Sequence, residues 1–134
     1  MFGSFDISAS ALTAQRVRMD TIASNLANID AVLGPNHQPQ PYRRIFATFQ
    51  TQRTPDGGVG VGVSSIEQDT QTPFRLKLEP GSPAADANGW VRYPNVDLFT
   101  ENMNAIETTR AYEANITAIE TTKSMINSTL RILA

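Results

Sequence analysis

The sequence predicts an α+β chain in which long N- and C-terminal helices pair as a coiled coil around a small, β-hairpin-rich central module. Three patterns carry this. Apolar residues recur at spacings of three, four and seven near both ends, the mark of a helical stripe. The middle alternates apolar and polar residues, the period of a strand. Clusters of proline and glycine separate the two regimes. The chain divides into an N-terminal helix (1–34), a β-rich module with its loops (35–96) and a C-terminal helix (97–134).

The first helical stripe, over Ser8 to Leu33, carries Leu12, Met19, Ile22, Leu26, Ile29 and Leu33. Ser4, Asp6 and Ser8 each offer a side-chain oxygen that can cap a first turn. The helix is expected to run to about Ala31, and Gly34-Pro35 ends it because proline cannot continue the hydrogen-bond ladder. Tyr42 to Gln52 reads as a strand, with Ile45, Ala47 and Phe49 on one face and Phe46 on the other. Thr54-Pro55-Asp56-Gly57-Gly58 is a turn signal. Val59, Val61 and Val63 then alternate with Gly60, Gly62 and Ser64, which makes a hairpin. Its side-chain-free glycine face permits close approach by another group. Ser65 to Gln71 is polar and reads as strand or loop. Phe74 to Leu78 is a short strand, and Glu79 to Pro94 is extended or turn.

Asn95 or Asp97 can cap the second helix. Its stripe carries Leu98, Ala105, Tyr112, Ile116, Ile119, Ile126, Leu130 and Leu133. About 35 residues give a rod of roughly 50 Å. The helix is rich in threonine and asparagine, each costing up to about 0.7 kcal/mol relative to alanine. The i,i+3 pairs Glu107–Arg110 and Glu120–Lys123 return only a few tenths. Packing must therefore hold it. A second face, Ala111, Ala114, Ala118, Met125 and Ile132, lies well around the helix from the main stripe. One intramolecular partner can bury only one stripe, so the second face is expected to meet another helix.

Composition excludes several functions. Eleven basic residues against thirteen acidic ones give a net charge of −2, without the basic patch of a nucleic-acid platform. The one basic pair, Arg43-Arg44, reads as a solvated edge. The chain holds no cysteine, which removes disulfides, thiolate metal sites and a cysteine nucleophile. No apolar run reaches the roughly 20 residues of a membrane span, so no direct membrane insertion is expected. No cleaved secretory signal is expected either.

No catalytic constellation emerges, and no cofactor or metal is expected. His37, the single histidine, sits in a proline-bounded loop with no neighbouring acid. Glu67 and Asp69 share a face only if that segment is extended, and read as solvated. The glycine run at 57–62 lacks phosphate-loop spacing and a following helix. Asn115-Ile116-Thr117 and Asn127-Ser128-Thr129 match a glycosylation pattern but fall inside a helix. Trp90 and Tyr93 read as anchors of the central module.

Ser24-Asn25-Leu26-Ala27-Asn28 resembles the Asn-Leu-Ala-Asn signature of bacterial flagellar axial proteins. Other stretches narrow the resemblance. They are Phe5-Asp6-Ile7 before Ser10 to Gln15, Gln40-Pro41-Tyr42-Arg43, Pro80-Gly81-Ser82-Pro83, Ala85 to Val91, Pro94-Asn95-Val96-Asp97, Arg110 to Asn115 and Thr122 to Met125. Together they are similar to the FlgC family of proximal-rod proteins over almost the whole chain, Thr54 to Thr72 excepted. The resemblance implies a structural part of the flagellar drive shaft. Such a subunit is exported by the flagellar type III apparatus without a cleaved signal and polymerises in the periplasm beneath a rod cap. It would meet its own copies, the other proximal-rod proteins and the distal-rod protein, with its helices around the export channel. Asn25 and Asn28, off the apolar stripe, are then expected to bond to adjacent subunits and fix register. A soluble coiled-coil adaptor or secretion-chaperone-like module is the alternative.

Overall fold

The computed structural model describes residues 2–134. The element order is α1 (Phe2–Ala27), β1 (Ile45–Arg53), β2 (Val59–Gln68), β3 (Arg75–Leu78), β4 (Trp90–Tyr93) and α2 (Leu98–Leu133). The α+β class holds: two long terminal helices and two small two-stranded sheets, β1-β2 and β3-β4.

The chain forms two compact units, and each helix contributes to both. The first unit contains α1 up to Met19, Ala47–Ser65 and Ala105–Ala134; the second contains Asp20–Phe46 and Ile66–Asn104. These units cut across the three-part division along the chain.

In the first unit, α1 up to Met19 and α2 from Ala105 belong to one body, and Arg18 reaches Glu107 at 3.4 Å. Ala14 is buried there. The β1-β2 hairpin closes through Thr54 N–H to Gly58 O at 2.9 Å. Its glycine face is used as the sequence suggests. A Cβ on Gly60 would collide with Ser10 Oγ, and one on Gly58 would lie 3.3 Å from Ile7 Cδ1. Ser10 donates to its own helix at Ile7 O and accepts from Val61 N–H at 3.1 Å. One hydroxyl thus ties β2 to α1.

The helix begins at Phe2, so Ser4, Asp6 and Ser8 lie inside it and cap nothing. No proline interrupts residues 2–7, and Ile7 packs toward Gly58, which gives the extra turns a tertiary contact despite Gly3. The helix also ends early, at Ala27. Asn28 Nδ2 donates to Ser24 O at 2.8 Å, and Ile29 N–H turns to Leu26 O in a tighter i−3 bond. Ile29 and Leu33 therefore leave the helical stripe for the following turns.

In the second unit, β3 and β4 are antiparallel, with Arg75 opposite Tyr93 and Leu78 opposite Trp90. β4 falls in the stretch from Glu79 to Pro94, whose proline and glycine punctuation predicts extended chain or turn. It is four residues long, too short to show a period, yet Val91 is fully buried while Trp90 and Arg92 face outward. Val91, Val96 and Ala84 form its small apolar centre with Ile22. Gly89 adopts φ 83° in the turn before β4, a conformation that favours glycine.

Asp97, not Asn95, caps α2. Asp97 Oδ2 accepts from Thr100 N–H at 3.1 Å and from Thr100 Oγ1 at 2.6 Å. The Thr100 hydroxyl, then its N–H, hold the Asp97 carboxyl below its ordinary value. Asn95 is instead buried and saturated: Oδ1 accepts from Arg44 N–H at 2.7 Å, and Nδ2 donates to Asp69 O and Thr72 O. Asp69 leaves the strand direction to close a turn, accepting from Gln71 N–H, Thr72 N–H and Thr72 Oγ1.

Those bonds, led by the Thr72 N–H and hydroxyl, with Arg44 nearby, lower the Asp69 carboxyl below its ordinary 3.8. A carboxylate held low in the folded chain adds stability above its unfolded value and loses it as pH falls through the folded value. Asp69→Asn is therefore expected to flatten the acid side of the stability profile. Urea midpoints taken between neutral pH and pH 3 measure this. The wild type should lose more stability than the variant below about pH 4.

Candidate assembly interface

The surface most open to function is α2. Its inward line is polar or small apart from two isoleucines: Glu101, Asn104, Thr108, Ala111, Asn115, Ile119, Thr122 and Ile126 are buried or half-buried at spacings of three and four. The line expected to pair with α1 faces largely outward. Leu98 is 53% exposed, Leu130 59% and Leu133 79%, with Tyr112 and Ile116 also exposed. Only Ala105, Ile119 and Ile126 of that set are half-covered. The run 101–108–115–122 stands three residues on from 98–105–112–119, a turn of about 60° around the helix. Buried polar groups with specific partners chose the inward face. Of the second face, Ala111 turns inward, whereas Ala114, Ala118, Met125 and Ile132 stay exposed, Ile132 at 84%.

Phe99 and Met103 add exposed apolar surface near the start of the helix. The exposed hydroxyls compete little for outside partners. Thr109, Thr117, Thr121, Thr122, Ser128 and Thr129 each donate to the carbonyl four residues back. This back-bonding removes polar groups from the surface and leaves methyls and apolar side chains. Asn115 Nδ2 does the same to Ala111 O. Of the expected i,i+3 pairs neither forms: Glu107 takes Arg18 instead, and Glu120 makes no ion pair among the described residues.

On α1 the expected line fares better. Ile22 is buried, and Leu12, Met19 and Leu26 are half-buried. In the first unit, Gln15, Arg16 and Met19 with Thr108, Thr109 and Tyr112 line an open groove of about 340 Å³. Gln15 Oε1 is buried without a hydrogen-bond partner.

The asparagine signature resolves differently from the expected subunit contacts. Asn25 is 1% exposed and spent within its own chain. Its Nδ2 donates to Ile45 O at 2.8 Å, and its Oδ1 accepts from Ile45 N–H at 2.9 Å and from Tyr42 OH at 3.0 Å. The amide thus mimics a neighbouring strand and fixes where β1 starts against α1. Asn28 serves the helix end at Ser24. Asn25 is thereby fully occupied within its own chain, while Asn28 is half-buried with its Nδ2 engaged in its own helix.

Sequence reasoning also missed a polar clasp in the second unit. Arg44 Nε donates to Glu101 Oε1, and Arg44 Nη1 lies 3.8 Å from Asp69 Oδ2. Glu101 is fully buried, and its Oε2 has no hydrogen-bond partner. Arg44 is therefore no solvated edge. Arg43 is not one either: its guanidinium stacks on Phe74, 4.4 Å from the ring centre. A signal existed in Glu101, a lone acid on the same line as Thr108 and Asn115. Tyr93 is an anchor as expected, donating to Glu79 Oε2 at 2.9 Å, with Lys77 on the other carboxylate oxygen.

The other candidates stay apart. His37 lies in an exposed turn at φ 59°, and Glu67 is exposed near the end of β2. Among the described residues no group of acids and histidine can hold a metal, and no helix is long and apolar enough to cross a membrane.

Comparison with known proteins now bears on what these faces are for. Residues 5–35 match a family model described as flagella basal body rod protein, and residues 87–132 match the flagellar basal body rod FlgEFG protein C-terminal model. The flagellar basal-body rod protein FlgC of Salmonella typhimurium is 46% identical over 129 residues, covering 96% of this chain and 94% of that protein. The chain belongs to the FlgC family. The FlgC of Bacillus subtilis is 41% identical, covering 98% of this chain and 97% of its own, and that of Borreliella burgdorferi is 38% identical, covering 99% and 97%. The two family-model matches cover nearly all of α1 with the turns that follow it, and β4 with nearly all of α2.

Asn25→Ala should destabilise the chain by about 2–4 kcal/mol, because Ile45 N–H, Ile45 O and the Tyr42 hydroxyl all lose a partner. Asn25→Asp should also destabilise it, since a carboxylate keeps the acceptor but faces Ile45 O with no donor. Urea unfolding of the purified variants measures both.

Proposed function

We infer that the chain is a structural subunit of the flagellar basal-body rod that joins its neighbours through the exposed faces of α2. The observation that carries this reading is the apolar surface of that helix. Leu98, Phe99, Met103, Ile106, Met125, Leu130, Ile132 and Leu133 are all more than half exposed. A monomer rarely shows so much apolar surface along one element unless a partner covers it. The relatives named as rod proteins supply the kind of assembly.

The reading extends to position and partners. The subunit belongs to the proximal part of the rod, in the periplasm, beside its own copies, the other proximal-rod proteins and the distal-rod protein. It reaches that place through the flagellar export apparatus, without a cleaved signal, and adds beneath a rod cap. Packed helices surround the export channel and pass torque along the shaft. Its role is mechanical, with no catalytic step and no cofactor. A soluble adaptor or secretion chaperone would cover its apolar helix face within the monomer or dimer, and α2 leaves its own uncovered.

Met125→Glu with Ile132→Glu separates assembly from folding. Both side chains are exposed, so the thermal stability of the purified chain should change by no more than about 0.5 kcal/mol. In cells the same variant should produce no completed rods and no swimming. Normal motility would remove α2 as the assembly face.

A further inference from the structure

The second unit carries a cleft of about 740 Å³ that the exposed helix faces do not explain. Its lining includes Leu33, Pro39, Tyr42, Arg43, Phe74 and Arg92, and no aspartate or glutamate. Two cations flank one ring: the Arg43 guanidinium lies 4.4 Å and the Arg92 guanidinium 5.8 Å from the Phe74 centroid. Neither arginine forms an ion pair among the described residues. Arg43 is steadied by a bond from Nη1 to Asp69 O at 3.0 Å. In a chain of net charge −2 this is a positive cleft with apolar walls and no internal counter-charge.

The complementary surface is on α2. Glu113 and Glu120 are exposed and unpaired by any ion pair among the described residues, and Tyr112 and Ile116 lie exposed beside them. Seven residues apart, the two glutamates share a face and stand about 10.5 Å apart along the axis. The two ring distances place the guanidinium carbons of Arg43 and Arg92 no more than about 10 Å from one another. Both guanidiniums are held within that reach around one ring, so two carboxylates on one helix face can meet one each.

The geometry points to the cleft as the seat for α2 of a second copy of this chain, with Glu113 and Glu120 of the second copy at Arg43 and Arg92. Ile116 of the second copy then meets the proline-lined wall. A helix face laid in an apolar groove with charges at its rim is a common recognition mode. The charges set partner choice and register more than raw affinity. The cleft and the helix face are different surfaces, so the contact is heterologous, and repeated from copy to copy it builds an open filament. The inference rests on the rod-subunit reading and names one of its contacts.

A charge swap in the bacterium that carries this gene tests it, with completed rods counted in isolated basal bodies. Arg43→Glu with Arg92→Glu should lower the count about tenfold, and Glu113→Arg with Glu120→Arg should do the same. The four changes together should restore most of it. If both pairs leave the count unchanged, or the combination fails to recover, the docking is wrong. A loss from the cleft pair alone, with the helix pair silent, assigns the cleft to a different protein and also overturns the proposal. Arg43 has a structural bond, so thermal unfolding of each purified variant comes first. Should its change unfold the chain, Arg92→Glu against the helix pair carries the same swap, since Arg92 lies exposed on β4. Rods lost with the exposed apolar positions changed but kept in every cleft variant would reject this contact and leave the rod reading intact.

Discussion

Helix α2 has 36 residues and α1 has 26, and the shorter helix cannot cover the longer. The unmatched length is about 15 Å of helix. Even where the helices meet in the first unit, the inward side of α2 is built largely from Thr108, Ala111, Asn115 and Thr122, with Ile119 and Ile126 its large apolar members. Length and facing together leave most of the large apolar side chains of α2 toward solvent, Ile119 and Ile126 excepted. The rest of the chain is arranged around that constraint: it fixes the helices at chosen points and does not try to bury them.

The fixing points are polar and specific. Asn25 reads the backbone of Ile45 on both its N–H and its carbonyl. Ser10 holds Val61. Asn95 joins Arg44, Asp69 and Thr72, and Arg44 reaches the buried Glu101. A buried amide or ion pair contributes modest net stability but is costly to misplace. Such contacts suit a subunit whose backbone must present its outer faces at a defined register, while the apolar area stays available for neighbours.

Much of the fold was legible. The bounds of α2 follow from its stripe and from Asp97, and the hairpin follows from the valine–glycine alternation around Thr54 to Gly58. The ends of α1 were not legible, because a contact of Ile7 with the hairpin extends one end and the Asn28 amide shortens the other. β4 is too short for periodicity to reveal. The facing of α2 was the deepest miss. An apolar stripe in a sequence marks the surface that wants burial but not which partner buries it, and here the intrachain face was chosen by Glu101 and its arginine. The role of Asn25 was hidden for a related reason: a polar residue off the apolar line looks like an interface until the strand it pins, twenty residues away, is in view.

In this reading the outer faces of α2 are completed only by other subunits. Hydrogen exchange along α2, read in the purified monomer and again in isolated rods, tests it most directly. Residues 122–134 should exchange rapidly in the monomer, residues near Glu101 and Thr108 more slowly, and the whole helix should be strongly protected in the rod. A terminal segment already protected in the monomer, or equally unprotected in both states, would contradict it.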